Sequence, residues 1–250
     1  MGEKYKKIEA LMVAEGLTRE EVISYLQSKT EVNSSEELSI VNPGFPADDV
    51  RSQTKLHWYA FEGGKFSSDP KAYQNCQGVV GWINPDPNTP EGNRIYIVLP
   101  YQHRLKYSNY FCKTDVKNTY GGRANTKKLL EYGKKYGVNF PAAEYAYNYC
   151  ANGVKQGEAF WPAIEQLGRI IKNVEGLRKA LKLIGGTFEG CLWSSSEGKY
   201  DSISEEFECN IGISSPSGPY NHALAVHSST GSVYNVLKDH DYSVSFIITY

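Results

Sequence analysis

The chain has 250 residues, with Lys+Arg 27 against Asp+Glu 28 and a formal net charge of -1 at pH 7. That length is ample for a hydrophobic core. The charge balance argues against nucleic-acid binding or a basic membrane-surface role, because neither a phosphate backbone nor anionic lipid meets a positive excess. A hydrophobic content of 40% with 22% charged residues excludes an intrinsically disordered chain. No apolar run approaches the roughly 20 residues that cross a bilayer. The opening Met1-Gly2-Glu3-Lys4-Tyr5-Lys6-Lys7 leads into a polar helix without the apolar stretch of a secretory signal. The expectation is no membrane insertion and no signal peptide, with localisation left open.

Residues 4–29 read as two short helices, with Ile8, Leu11 and Met12 on one apolar stripe and Val22, Ile23 and Leu26 on another. Gly16 ends the first, and Thr18-Arg19-Glu20-Glu21 has the form of a capping box for the second. Such narrow stripes are unstable alone. Residues 1–30 are therefore expected to be an attachment or oligomerisation segment, joining a homo-oligomer or larger assembly, or else docking on the chain's own body. Residues 31–75 read as linker and start of domain, with Asn42-Pro43-Gly44-Phe45-Pro46 as the turn cluster marking the boundary.

Strands are expected over Gly78–Ile83 and Arg94–Leu99, joined by a tip whose three prolines forbid regular structure. Helices follow. Asn125-Thr126 has cap chemistry for a helix ending before Gly137, and Pro141 suits the first turn of a helix running to Cys150. Pro162 is expected to start a helix carrying Ile164, Leu167 and Ile171. Another carries Val174, Leu177, Leu181 and Ile184 and stops at Gly185-Gly186. Strands return in the last third. Leu224 and Val226 are expected in the core, with Ala223, Ala225 and His227 on the other side. Ser228–Ser232 makes a turn, and Val233–Leu237 returns as a strand. Tyr242, Val244, Phe246, Ile248 and Tyr250 alternate with Ser243, Ser245, Ile247 and Thr249, predicting an apolar face and a mostly hydroxylated one. Strands, then helices, then strands predict an α+β fold.

The five cysteines, Cys76, Cys112, Cys150, Cys191 and Cys209, show neither disulfide-framework nor zinc spacing. Phosphate-loop, dinucleotide, zinc-protease, nucleophile-elbow and EF-hand motifs are missing. His222 and His227 lie five apart, which on a strand puts the imidazoles on opposite faces, so no metal site and no cofactor is expected. Cys191 or Cys209 meeting His222 or His227 would make a nucleophilic pair, and a Cys-dependent enzyme is the competing reading. Glu205-Glu206 reads as a solvated carboxylate pair. Asp239-His240-Asp241 suits a hydrophilic tip between strands. Tyr 19 against Phe 9 suits either recognition surfaces or sheets. Residues 193–241 are rich in Ser, Gly, Tyr and Asn, the composition of adaptable binding loops, although turn chemistry favours the same residues.

Three stretches carry a resemblance: Gly122-Arg123-Ala124-Asn125-Thr126, Phe140-Pro141-Ala142-Ala143-Glu144-Tyr145, and Glu158-Ala159-Phe160-Trp161-Pro162-Ala163-Ile164-Glu165-Gln166-Leu167. It continues through Ala180–Gly186, Leu192-Trp193-Ser194-Ser195-Ser196 and Ala223 to Val233, and closes with Lys238 and Tyr242-Ser243-Val244. Over residues 76–250 the chain resembles the bacterial and phage family named for the C-terminal domain of a collagen-like Legionella adhesin. The resemblance implies a C-type-lectin-like fold and a binding module rather than an enzyme. Relatives in that family include adhesins, phage tail receptor-binding proteins and variable proteins of diversity-generating retroelements. A structural virion component is a third class.

By that resemblance the exposed, variable positions are Tyr220, Asn221, His222, His227, Tyr234, Asn235, Asp239, His240 and Asp241, and Tyr200 adds contact area nearby. Trp193 would be scaffold, filling the core. The implied partner is an external protein or glycan, with no nucleic acid. The chain departs from the family pattern at Leu224, where Trp is frequent, and at Ser245, where Arg is common. An apparent insertion spans 197–219. The calcium-binding lectin motifs are missing, so calcium-dependent sugar binding is not expected. Formylglycine-generating enzymes share the broader fold but need a cysteine pair near the C-terminal end, which this chain lacks.

Overall fold

Alternation of apolar residues in the strand segments, and 3–4 spacing in the helices, produces a sheet with helices on both faces. The computed structural model describes residues 45, 48–198 and 222–250. The helices expected over 4–29, the Glu205-Glu206 pair and the stretch 199–221 lie outside the described residues. Among the described residues, eight strands form one sheet: β1 (Tyr59–Phe61), β2 (Lys65–Ser67), β3 (Cys76–Ile83), β4 (Ile95–Leu105), β5 (Cys191–Glu197), β6 (His222–His227), β7 (Val233–Leu237) and β8 (Tyr242–Thr249). Their order is β2-β1-β3-β4-β8-β5-β6-β7. All neighbours are antiparallel except β5 and β8, which pair in parallel at Leu192 and Ser243. Four α-helices join the strands among the described residues: α1 (Gly122–Tyr136), α2 (Pro141–Asn148), α3 (Ile164–Ile171) and α4 (Val174–Leu183). The class is α+β.

The expected hairpin is β3–β4, in register from Ile83↔Ile95 to Val79↔Val98 with an irregularity after Val80. Its proline-rich tip is fastened from below. Arg51, fully buried, grips Asp49 through both carboxylate oxygens, donates to the Asn84 carbonyl and lies 3.7 Å over the Phe45 ring. The sheet also takes in β1 and β2, which precede position 76, and Tyr59, Ala60 and Phe61 are all buried. Residues Pro43–Tyr250 cluster as one unit.

Each sheet face carries its own core. Leu129 of α1 and Ala142, Ala143 and Ala146 of α2 pack with Trp161, Trp193, Ala225, Val244 and Phe246. Leu167, Ile170, Leu177 and Leu181 of α3 and α4 pack on the other side with Val79, Val98, Leu224, Val226 and Ile247. The hydroxylated face expected for β8 is therefore not a solvent face: Ser245 is buried and Ile247 fully so, because β8 is an interior strand covered by helices on both sides. Ala223 and Ala225 are likewise fully buried.

Two helix starts differ from the expectation. Helix α1 begins at Gly122, so Asn125 and Thr126 are its fourth and fifth residues rather than its cap. Their polar atoms serve tertiary contacts instead. Asn125 donates to the Asn118 carbonyl and the Ser195 hydroxyl, and Thr126 Oγ1 accepts from the Trp161 amide. Gln166 Oε1 accepts from the amides of both Gly122 and Ala163, satisfying the starts of α1 and α3 with one side chain. A Cβ at Gly122 would lie 2.5 Å from that oxygen and 2.6 Å from the Trp161 carbonyl. Helix α3 begins at Ile164, because the Pro162 carbonyl is held by the Ser195 amide and keeps the chain extended through Ala163. The other boundaries follow the sequence: Pro141 opens α2, Gly137 ends α1 at φ +68, and Gly185 follows α4 at φ +74. Helix α2 ends at Asn148, before Cys150.

The end of β5 is bound to two distant segments through charge. Glu197 and Lys238 form an ion pair, and their side chains are 5% and 0% exposed. The Glu197 carboxylate also accepts from the amides of Thr114 and Asp115, the latter at 2.7 Å. Lys238 Nζ donates to the Cys112 carbonyl at 2.6 Å and lies over the Tyr107 ring. Removing one partner of a buried pair strands the other charge, at a cost of about 3–5 kcal/mol. Lys238→Ala is expected to lower the unfolding free energy in urea by about that amount. Lys127→Ala, which removes an exposed pair with Glu131, is expected to leave the midpoint in place. Equal midpoints for Lys238→Ala and the native protein would contradict this assignment.

Candidate recognition surface

From Lys238 the chain crosses over β5 to reach β8. Lys238 stands beside Glu197 at one end of β5, whereas Ser243 pairs with Leu192 near the other. Residues 238–242 thus form a strap over Trp193. Trp193 is fully buried, as its scaffold assignment expects, and its ring lies 5.0 Å from that of Tyr242. Its indole N–H donates to the His240 carbonyl at 3.2 Å. Arg104 donates to the Asp241 carbonyl at 2.8 Å, and the Lys238 carbonyl accepts from the Tyr107 amide. The backbone of the strap is held by these contacts, while the side chains of Asp239, His240 and Asp241 are exposed. Asp239 and His240 contact each other at 3.1 Å.

The serines that follow Trp193 explain how a polar segment fills the centre of the fold. Ser194, Ser195 and Ser196 are fully buried. Ser194 donates to the Leu224 carbonyl; Ser195 Oγ accepts from Asn125; Ser196 donates to the Asn118 carbonyl and accepts from the Ile164 amide. Each small hydroxyl answers a backbone or side-chain group that would otherwise be left unpaired away from water.

The sequence-derived site residues divide into three sets. Tyr200, Tyr220 and Asn221 lie outside the described residues. His227 and Tyr234 share the Trp193 face of the sheet with the strap, since Trp193, Ala225 and Tyr234 stand in one cross-strand row. Both are half-buried rather than fully turned outward. Asn235 and His222 are on the opposite face. Asn235 pairs with Leu224 and His222 with Leu237, and alternation separates them from Tyr234. His222 and His227 thus lie on opposite faces, as their spacing of five predicts. Asn235 packs against Gly198, where a Cβ would come within 2.2 Å of its Oδ1.

Two residues not singled out for the surface join it. Tyr242 lies between Trp193 and His240, 6.2 Å from the latter. Cys191 stands opposite His227 in the β5–β6 register, which brings one of the suspected Cys–His pairs onto the same face. Burial pushes the Cys191 thiol above its ordinary range, as it does those of Cys76 and Cys112. The His227 Nδ1 accepts from the Ser229 amide at 3.3 Å. Among the described residues, no group of three or more His, Cys, Asp or Glu side chains could hold a metal ion. No described helix is long and apolar enough to cross a membrane.

Comparison of the sequence with protein-family models found no match, and comparison with curated proteins found none either.

Burial lowers the imidazole pKa of His57, His103 and His222, the last helped by the nearby Lys238 charge, while the Asn173 carbonyl partly opposes the shift at His57. In the unfolded chain these groups take up protons from about pH 6.5 downward. The unfolded state then binds more protons than the folded one, so stability present above that pH is lost as pH falls through the folded values. The melting temperature is expected to fall between pH 7 and pH 5. His222→Gln should flatten part of that slope, and a slope identical to that of the native protein would contradict the assignment.

Proposed function

We propose that the protein is a non-enzymatic ligand-recognition module of C-type-lectin-like type, related to adhesins, phage receptor-binding proteins or retroelement-diversified proteins. Its ligand is an external protein or glycan. One observation carries this reading: the strap 238–242 is anchored through backbone carbonyls to Trp193 and Arg104, which leaves the side chains of Asp239, His240 and Asp241 free to differ without disturbing the frame. Recognition surfaces are built in this way, with variable side chains on loops and a rigid scaffold below. Tyr234 and Tyr242 supply aromatic area beside the polar strap, the pairing that concentrates binding energy in protein interfaces.

The order of strands and helices, with the last strand in the middle of the sheet beside the hairpin, supports the C-type-lectin-like reading. So does the buried Trp193-Ser194-Ser195-Ser196 segment. The competing Cys-dependent enzyme has one favourable feature, Cys191 facing His227. A nucleophilic thiol, however, requires a depressed pKa, and burial moves Cys191 the other way.

A ligand selected from glycan arrays or displayed-protein libraries provides the test. The double variant Tyr234→Ala, His240→Ala should keep the native circular dichroism spectrum and weaken binding on the order of tenfold or more. Unchanged affinity in a folded variant would reject this surface. Alkylation at pH 7 separates the classes: Cys191 reacting faster than an ordinary exposed thiol would favour the enzyme.

A further inference from the structure

Seven of the nine exposed large hydrophobic side chains among the described residues are tyrosines, and none belongs to the surface above. Two of them, Tyr101 on β4 and Tyr145 on α2, line a groove of about 530 Å³ together with Glu144, Asn148 and Tyr149. The groove falls within the size range of small-molecule sites. Tyr101 is 49% exposed. Tyr145 is fixed from behind, its ring stacked on Phe246 at 5.2 Å and set against His103 at 4.1 Å.

Tyr149 differs from its neighbours. It is only 6% exposed, yet its hydroxyl has no hydrogen-bond partner among the described residues. Buried hydroxyls are ordinarily paired. Tyr101, Tyr145 and Tyr149 all line the groove; burial pushes the Tyr149 pKa up to about 12, and Tyr101 and Tyr145 add to the shift. The Tyr149 group stays a neutral donor and acceptor through the physiological range. Around it, Glu144 uses one carboxylate oxygen to accept from the Phe140 amide. Asn148 uses its carbonyl oxygen to accept from Gln156. The second Glu144 oxygen and the Asn148 amide N–H groups have no described partner of their own.

We propose that this groove between α2 and β4 binds a neutral hexopyranose ring. Aromatic faces at Tyr101 and Tyr145 offer a platform for the C–H face of a sugar. The Tyr149 hydroxyl, the free Glu144 oxygen and the Asn148 amide offer the mixed acceptors and donors that neighbouring sugar hydroxyls complement. Glu144 is the ionisable carboxylate of the lining, which disfavours phosphate and acidic sugars. A proline-rich peptide would also stack on tyrosines, but its backbone offers few N–H donors and would leave the Glu144 oxygen unanswered. This site is separate from the strap and stands whether or not the proposed recognition function holds.

The full chain should be tested by saturation-transfer NMR with the methyl glycosides of glucose, galactose and mannose at millimolar concentration, and separately with a proline-rich decapeptide. At least one glycoside is expected to receive saturation at its ring C–H protons. Tyr101→Ala, at an exposed position, should abolish the signal. Tyr149→Phe removes only the unpaired hydroxyl and should weaken the dissociation constant about tenfold, with a melting temperature equal to or above that of the native protein. No transfer to any glycoside, binding by the peptide alone, or Tyr149→Phe with native affinity would each overturn the proposal.

Discussion

A lysine ammonium and a glutamate carboxylate enclosed together are tolerated only when every remaining donor and acceptor is also answered. Glu197 and Lys238 each have partners beyond one another. The carboxylate takes two backbone amides from the 114–115 segment, and the ammonium takes the Cys112 carbonyl. Three stretches far apart in sequence thereby meet at one point: the end of β5, the start of the strap, and the irregular chain leading into α1. The path of residues 238–242 over Trp193 follows from that junction, because Lys238 fixes one end and the β5–β8 pairing fixes the other.

The same economy runs through the centre of the fold. Polar side chains that a sequence reader assigns to caps, turns or solvent are spent on backbone groups between layers. Gln166 satisfies two helix starts, the three serines of β5 answer a carbonyl, an amide side chain and an amide N–H, and Arg51 clamps the proline-rich tip. Such contacts are directional, so they set register and approach as well as covering surface. An α+β sheet with two helical layers then follows from apolar side chains on both faces of the interior strands.

Sequence periodicity reveals the β3–β4 hairpin, the four helices and the β6–β7 turn, because spacing and turn chemistry act locally; the burial of Trp193 is implied only by the family resemblance. It does not reveal which strands are interior. Ser243, Ser245 and Thr249 read as a mostly hydroxylated face, yet β8 lies between β4 and β5, and only the strand order decides that. Asn125 and Thr126 have the chemistry of a cap, but partners 35 to 70 residues away claim them. At the candidate surface, simple alternation along β7 separates Tyr234 from Asn235. The pairing of Cys191 with His227 and the tyrosine groove at α2 depend on tertiary approach. The excess of tyrosine was a visible sign of the latter, though it gave no location.

Amide hydrogen exchange of Lys238→Met against the native protein, under conditions where both are folded, addresses the junction most directly. The account predicts that protection falls on the order of tenfold or more in two segments together, 112–116 and 238–242. The amides between β3 and β4 should keep their native protection. Native protection in both segments, or uniform loss across the whole sheet, would contradict the claim that this ion pair fixes the strap.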